Sequence, residues 1–133
     1  LDLFAGTGAL GLEALSRGAS HVTLVDDGRK SGELIRKNIQ ICQAINDTTV
    51  LKTDATRLGQ NPEEAYDLIF MDPPYGKDLG QIAIKAALSG GWIASDAIIV
   101  WEDNKPMIAP DTFIQLDSRK YGDTYITLMQ ADF

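Results

Sequence analysis

The chain has 133 residues, of which 44% are hydrophobic, and a formal net charge of −7 with a pI near 4.5. That length and apolar share fit one soluble globular domain with a real core and exclude a second. No apolar run approaches the roughly 20 residues of a membrane span, and no basic-then-apolar start marks a secretion signal, so a cytoplasmic protein with no membrane partner is expected. The lone Cys42 excludes an internal disulfide, and with the single His21 it cannot assemble a Cys/His zinc site, so neither metal nor thiol chemistry is expected. The acidic balance argues against a nucleic-acid partner, because phosphate normally meets a basic surface. Since the chain opens at Leu1-Asp2-Leu3-Phe4, inside a predicted strand, an upstream segment is expected, and basic contacts would lie there.

Leu1 to Phe4 read as a strand that runs into Ala5-Gly6-Thr7-Gly8-Ala9-Leu10-Gly11, after which Leu12 to Arg17 read as a helix stopped by Gly18. Strand, glycine loop and helix in that order let backbone N–H groups approach a ligand closely, with a negative group favoured at the helix amino terminus. Val22 to Val25 form a second buried strand that ends at Asp26 and Asp27. The following helix takes Asp27 as N-cap and Leu34, Ile35, Asn38, Ile39, Ile41, Cys42 and Ile45 as its apolar stripe, which places Cys42 in the core; Arg29, Lys30, Arg36 and Lys37 form a solvated face. A third strand, Thr49 to Lys52, ends at Thr53-Asp54-Ala55.

The fourth strand, Tyr66 to Met71, has the continuous apolar character of a strand buried on both faces and leads into Asp72-Pro73-Pro74-Tyr75-Gly76. Asp72 precedes a proline and is pushed towards extended backbone, while Pro73 and Pro74 have fixed φ and no N–H. The result is a stiff turn rich in acceptors, suited to a flat amino-bearing ring. Asp78 to Leu88 read as a helix with Leu79, Ile82, Ala83, Ala86 and Ala87 inward, and Ala97 to Trp101 as a fifth strand ending at Glu102. Phe113 to Lys120 and Thr124 to Gln130, joined by Tyr121-Gly122-Asp123, form a hairpin. Strands alternating with helices and then a hairpin predict an α/β, doubly wound, mostly parallel seven-stranded sheet with an antiparallel strand near the end.

Gly6-Thr7-Gly8-Ala9-Leu10-Gly11 satisfies the G-x-G-x-x-G pattern, with Asp26 about 20 residues on, so on this element alone a nicotinamide enzyme competes. Ligands of open sheets lie across the carboxyl ends of the strands, and Asp2, the glycine loop, Asp26, Asp54 and Asp72 all occupy or flank such ends, so one crevice is expected to contain them. Here the chain resembles a known family. Asp2-Leu3-Phe4-Ala5-Gly6-Thr7-Gly8 looks like the first motif of S-adenosylmethionine-dependent methyltransferases, and Asp72-Pro73-Pro74-Tyr75 like the fourth motif of those acting on exocyclic amines. The run from Phe4 to Gly18 and the Tyr121-Gly122 hairpin are similar to the bacterial small-subunit (16S) ribosomal RNA guanine-N2 methyltransferases, over nearly the whole chain. That family usually carries Glu where Asp26 stands, and it has a basic amino-terminal segment.

The resemblance implies the Rossmann-like class I methyltransferase fold, S-adenosyl-L-methionine as cofactor, and ribosomal RNA or the assembling small ribosomal subunit as partner of a monomer. Carried over by position, Phe4, Ala5, Gly6, Thr7 and Gly8 hold the methionine part of the cofactor with Asp2 near its amino group. Asp26, with Asp27 beside it, binds the ribose, and Asp54 with Ala55 binds the adenine, while Asp72 borders both cofactor and substrate. The catalytic set is Asp72, Pro73, Pro74 and Tyr75. Two acceptors on an amine's hydrogens, the Asp72 carboxylate and the Pro73 carbonyl, favour the tetrahedral geometry that attack requires, and Tyr75 stacks on the base. A DNA adenine-N6 enzyme shares the Asp-Pro-Pro-Tyr turn but needs a target-recognition region for which these residues leave no room. Further off stand a nicotinamide oxidoreductase and a catalytically silent cofactor-binding module.

Overall fold

The computed structural model describes residues 1–133. Leu1–Ala55 and Thr56–Phe133 make two compact units. The first carries strands β1 (Asp2–Leu3), β2 (Val22–Val25) and β3 (Thr48–Leu51), with helices α1 (Ala9–Ser16) and α2 (Arg29–Ile41). β2 is buried at every position and pairs in parallel with both neighbours, Asp2 lying opposite Leu24 and Val22 opposite Thr48. A strand covered on both faces carries mostly apolar residues, here interrupted by the buried Thr23, which made its bounds legible. Val22, Leu24, Ile35, Ile39 and Ala44 form a core cluster against which Ala5, Leu12, Leu15 and Val50 pack.

Three expectations fail in this unit. Helix α1 starts at Ala9 rather than Leu12, because Gly11 belongs to its buried face and not to the loop. A Cβ at Gly11 would stand 2.5 Å from Leu24 Cδ2 and 2.7 Å from Val22 Cγ1, so this glycine lets α1 lie close on β2. Asp27 does not cap α2: Gly28 is the N-cap in extended backbone, and the carboxylate reaching its N–H, at 2.8 Å, is that of Asp26. Cys42 is exposed rather than core, and Ile41 and Ile45 are 68% and 67% exposed. The helix ends at Ile41 and the chain turns through Gln43 at φ 54, so helical periodicity stops there and Ala44 takes the core position.

The second unit carries β4 (Tyr66–Met71), α3 (Leu79–Ser89), β5 (Ile93–Asp103), β6 (Phe113–Tyr121) and β7 (Thr124–Ala131). β4 and β5 are parallel, with Ile69 opposite Ile99 and Met71 opposite Trp101, while β7 is antiparallel to both β5 and β6. The hairpin closes with Tyr121 paired to Thr124 and Gly122 at φ 61, the positive φ that tight hairpin turns demand. β4 is buried at Ile69 and Met71 but exposed at Asp67, so it is not covered on both faces along its whole length. β5 is longer than the predicted 97–101 because Ile93 already pairs with Tyr66 and its far end, to Asp103, pairs with β7. On α3 the buried residues are Gly80, Ala83, Ile84 and Ala87, whereas Ile82, expected inward, is 49% exposed. A Cβ at Gly80 would meet the Trp101 ring at 2.5 Å, so contact with this buried indole selects glycine there.

The strands form a seven-stranded sheet in the order β3-β2-β1-β4-β5-β7-β6, mostly parallel, as expected. No helix is long and apolar enough to cross a membrane.

Candidate active site

The loop that joins β1 to α1 is tightly specified. Ala5 N–H donates to the Val25 carbonyl and Gly8 N–H to the Ala5 carbonyl, both at 2.9 Å, and Leu12 N–H donates to the Gly8 carbonyl at 3.0 Å. Phe4, Gly6 and Gly8 adopt φ of 60, 60 and 82. For a bulky residue such as Phe4 that conformation costs on the order of 1–3 kcal/mol and persists only where the surroundings impose it, a pattern concentrated at ligand clamps. Around Gly6 nothing lies within 4 Å of the position a Cβ would take, leaving space beside the loop.

Two carboxylates engage the amides of this loop and helix. Asp26, just past β2, accepts Gly6 N–H on Oδ2 at 2.9 Å and Gly28 N–H on Oδ1 at 2.8 Å. Asp2, 1% exposed, accepts Gly11 N–H of the first α1 turn on Oδ2 at 3.1 Å. The negative group that a helix amino terminus attracts is therefore supplied from inside the chain. Each carboxylate oxygen has more than one acceptor direction, so these bonds do not exhaust Asp26. From α2, Asn38 Nδ2 donates to the Thr7 carbonyl at 2.9 Å. Asp54 is half-buried just beyond β3, and buried Ala55 opens a 3-10 turn over Ala55–Arg57. Thus the structure ties Asp26 to the loop and Asp2 to α1, and leaves Asp27 on the surface.

In the second unit the Asp72-Pro73-Pro74-Tyr75 turn follows directly on β4. Pro73 is buried, whereas Asp72, Pro74 and Tyr75 are exposed, Tyr75 by 46%. Met71 pairs in register with Trp101, so Asp72 and Glu102 are the next residues along two adjacent parallel strands. Asp72 keeps solvent access, yet the packing around its carboxyl, and after it the nearby Glu102 and Asp103 carboxylates, push its pKa from 3.8 up to about 6. Low polarity and like charge both disfavour the ionised form. The buried Asp103 carboxylate accepts Asn104 N–H at 2.7 Å. Asp72 is consequently an acceptor that is mostly ionised at neutral pH and basic enough to take a proton.

Glu102, Asp103 and Asn38 were not among the expected site residues. Glu102 had a legible signal, an acid closing an apolar strand as Asp26 and Asp72 do; Asn38 had a subtler one, a lone amide within an apolar stripe.

A family model described as conserved hypothetical protein 95 matches residues 1–130. The ribosomal RNA small subunit methyltransferase D of Haemophilus influenzae is 30% identical over 98% of this chain and 70% of its own length. The chain belongs to that methyltransferase family. A conserved hypothetical protein of Streptococcus pyogenes superposes with a TM-score of 0.87 at 34% identity, covering 98% of this chain and 83% of the other. The rRNA methylase of Streptococcus thermophilus, at 11% identity and a TM-score of 0.74 over 98% of this chain and 84% of its own, shares the fold. The sheet order with its antiparallel β7 is the class I methyltransferase fold.

Proposed function

We propose that this chain is an S-adenosyl-L-methionine-dependent methyltransferase acting on the exocyclic N2 amine of a guanine in small-subunit ribosomal RNA. The observation that carries the cofactor reading is the Asp26 carboxylate at 2.9 Å from Gly6 N–H. A dinucleotide would bring an anionic pyrophosphate to these amides. Asp26 on the loop and Asp2 under α1 already engage them, so the loop disfavours an anion and suits a ligand bearing ammonium and sulfonium charge. This argues against the nicotinamide reading. Phe4 to Gly8 would hold the amino-acid half of the cofactor, Asp26 the ribose, and Asp54 with Ala55 the adenine, while buried Asp2 would act through α1; the open space beside Gly6 fits such a ligand.

Bound S-adenosyl-L-methionine supplies an electrophilic methyl group. The chain's own part is placement and electrostatics, with no covalent intermediate on the protein. The Asp72 carboxylate and Pro73 carbonyl accept the two amine hydrogens, which turns the nitrogen lone pair out of the purine ring. Asp72 then stabilises positive charge as it grows on the nitrogen, and with a pKa near 6 it can receive the departing proton. Tyr75, exposed beside the turn, stacks on the base for roughly 1–3 kcal/mol. A base within a helix must first be flipped out. The choice of ribosomal RNA rests on family membership. The test is to incubate the full-length protein with tritiated cofactor and unmodified small ribosomal subunits, digest the RNA and identify the labelled nucleoside. N2-methylguanosine is expected, and label in DNA or protein instead refutes the assignment.

A further inference from the structure

Helix α2 turns Ile35 and Ile39 into the core, and between them stands Asn38, half-buried, at a position where an aliphatic side chain would match the stripe. Its Nδ2 donates to the carbonyl of Thr7, 31 residues away in sequence, at 2.9 Å. One residue earlier in the loop, Asp26 Oδ2 holds Gly6 N–H at 2.9 Å. The two anchors fix the peptide planes on either side of the Gly6–Thr7 peptide and hence the direction in which that peptide points. Fixing is needed because glycines flank Thr7, with φ of 60 and 82, and glycine crosses between positive and negative φ at little cost.

We propose that Asn38 is a positioning residue that sets the conformation of the cofactor loop, so that α2 determines how tightly the amino-acid half of the cofactor is held. This rests on the reading that the loop binds S-adenosyl-L-methionine. Asn38 acts through Thr7 and does not itself take part in methyl transfer.

The test uses the full-length protein with Asn38→Leu, which fits the apolar stripe, and Asn38→Asp, which keeps the shape but removes the donor. Calorimetry would measure S-adenosyl-L-methionine, S-adenosylhomocysteine and 5′-methylthioadenosine, the last of which lacks the amino-acid half. Both variants are expected to weaken the first two about tenfold, the scale of one lost hydrogen bond to a positioned group, and to leave methylthioadenosine within about twofold. KM for the cofactor should rise while kcat at saturation holds. Equal losses for all three ligands, or kcat and melting temperature falling together in both variants, would mean a merely structural role and overturn the proposal. Unchanged affinity in both variants overturns it as well. If the wild type binds none of the three ligands, the cofactor reading fails first and this inference with it.

Discussion

Lowering the pH should switch off turnover through Asp72 alone. With its pKa at about 6, the carboxylate fraction is roughly ten in eleven at pH 7, one half at pH 6 and one in eleven at pH 5. If only the ionised form can accept the amine hydrogens, kcat/KM should fall about tenfold from pH 7 to pH 5 along a slope approaching one. The measurement is initial-rate methyl incorporation at fixed ionic strength, with cofactor affinity followed in parallel so that a binding loss is not mistaken for a chemical one. Burial is the largest cause of the shift, followed by Glu102 and Asp103. Glu102→Gln should therefore move the inflection down but leave it above the ordinary value of 3.8. Rates that stay flat between pH 7 and pH 5, or an inflection indifferent to Glu102→Gln, refute the assignment of Asp72 as the acceptor. Linkage adds an independent check. A folded-state pKa raised above the unfolded one contributes stability that is complete below about 3.8 and lost as the pH rises through about 6. Asp72→Asn should accordingly melt at or above the wild-type temperature at pH 8, lose that advantage at pH 4, and be inactive at both.

Asp72→Ala should retain cofactor affinity while losing on the order of 10²–10³-fold in kcat, the scale of removing one preorganised electrostatic partner; calorimetry beside a radiolabelled methyl assay separates the two, and full activity sinks the mechanism. Asp26→Ala should behave in the opposite sense, weakening cofactor binding because it releases both Gly6 and Gly28. Gly11→Ala forces a methyl to within 2.5 Å of Leu24 and should cost about 1–3 kcal/mol by overpacking, and Gly80→Ala against Trp101 likewise, both readable by denaturant titration. Cys42 should react with a maleimide in the folded protein without loss of structure by circular dichroism, since the residue is exposed.

The parts of the fold written in strong local chemistry were legible. β2 and β4 appeared with correct bounds because each is a mostly apolar stretch ended by an acid, Asp26 and Asp72, although β4 proved half-covered and not buried on both faces, and the hairpin because Gly122 supplies a positive φ between two strand-like stretches. Elements whose limits depend on a neighbour were not. Gly11 reads as loop chemistry until β2 is placed beneath it, and β5 outruns its apolar centre because pairing with β7 carries Glu102 and Asp103 into the strand. Cys42 and Ile45 show the same limit, since a period projected past the end of a helix assigns the core to residues that the next turn exposes. At the candidate site, residue types at strand ends were readable, whereas their bonding was not. Spacing from the glycine pattern singled out Asp26 over Asp27, but that Asp26 holds Gly6 N–H and also the Gly28 N–H at the start of α2, leaving Asp27 without the capping role, follows only from the path of the chain into α2.

That distinction bears on the ligand. A glycine loop before a helix is a general device for presenting amides, and its bare pattern does not discriminate an anionic ligand from a cationic one. What discriminates is whether the amides are free or already matched by the chain's own negative charge. Here Gly6 N–H meets Asp26 and Gly11 N–H meets buried Asp2, so the positive ends of the amide dipoles are compensated before any ligand arrives. Removing a compensating charge should thus shift preference and not only affinity. Asp26→Asn should lower the ratio of S-adenosyl-L-methionine binding to binding of an anionic dinucleotide such as NAD, measured by competition at low salt where charge effects are least screened. An Asp26→Asn protein whose affinities for both ligands fall in proportion would show that the carboxylate shapes the loop without setting the sign of its ligand.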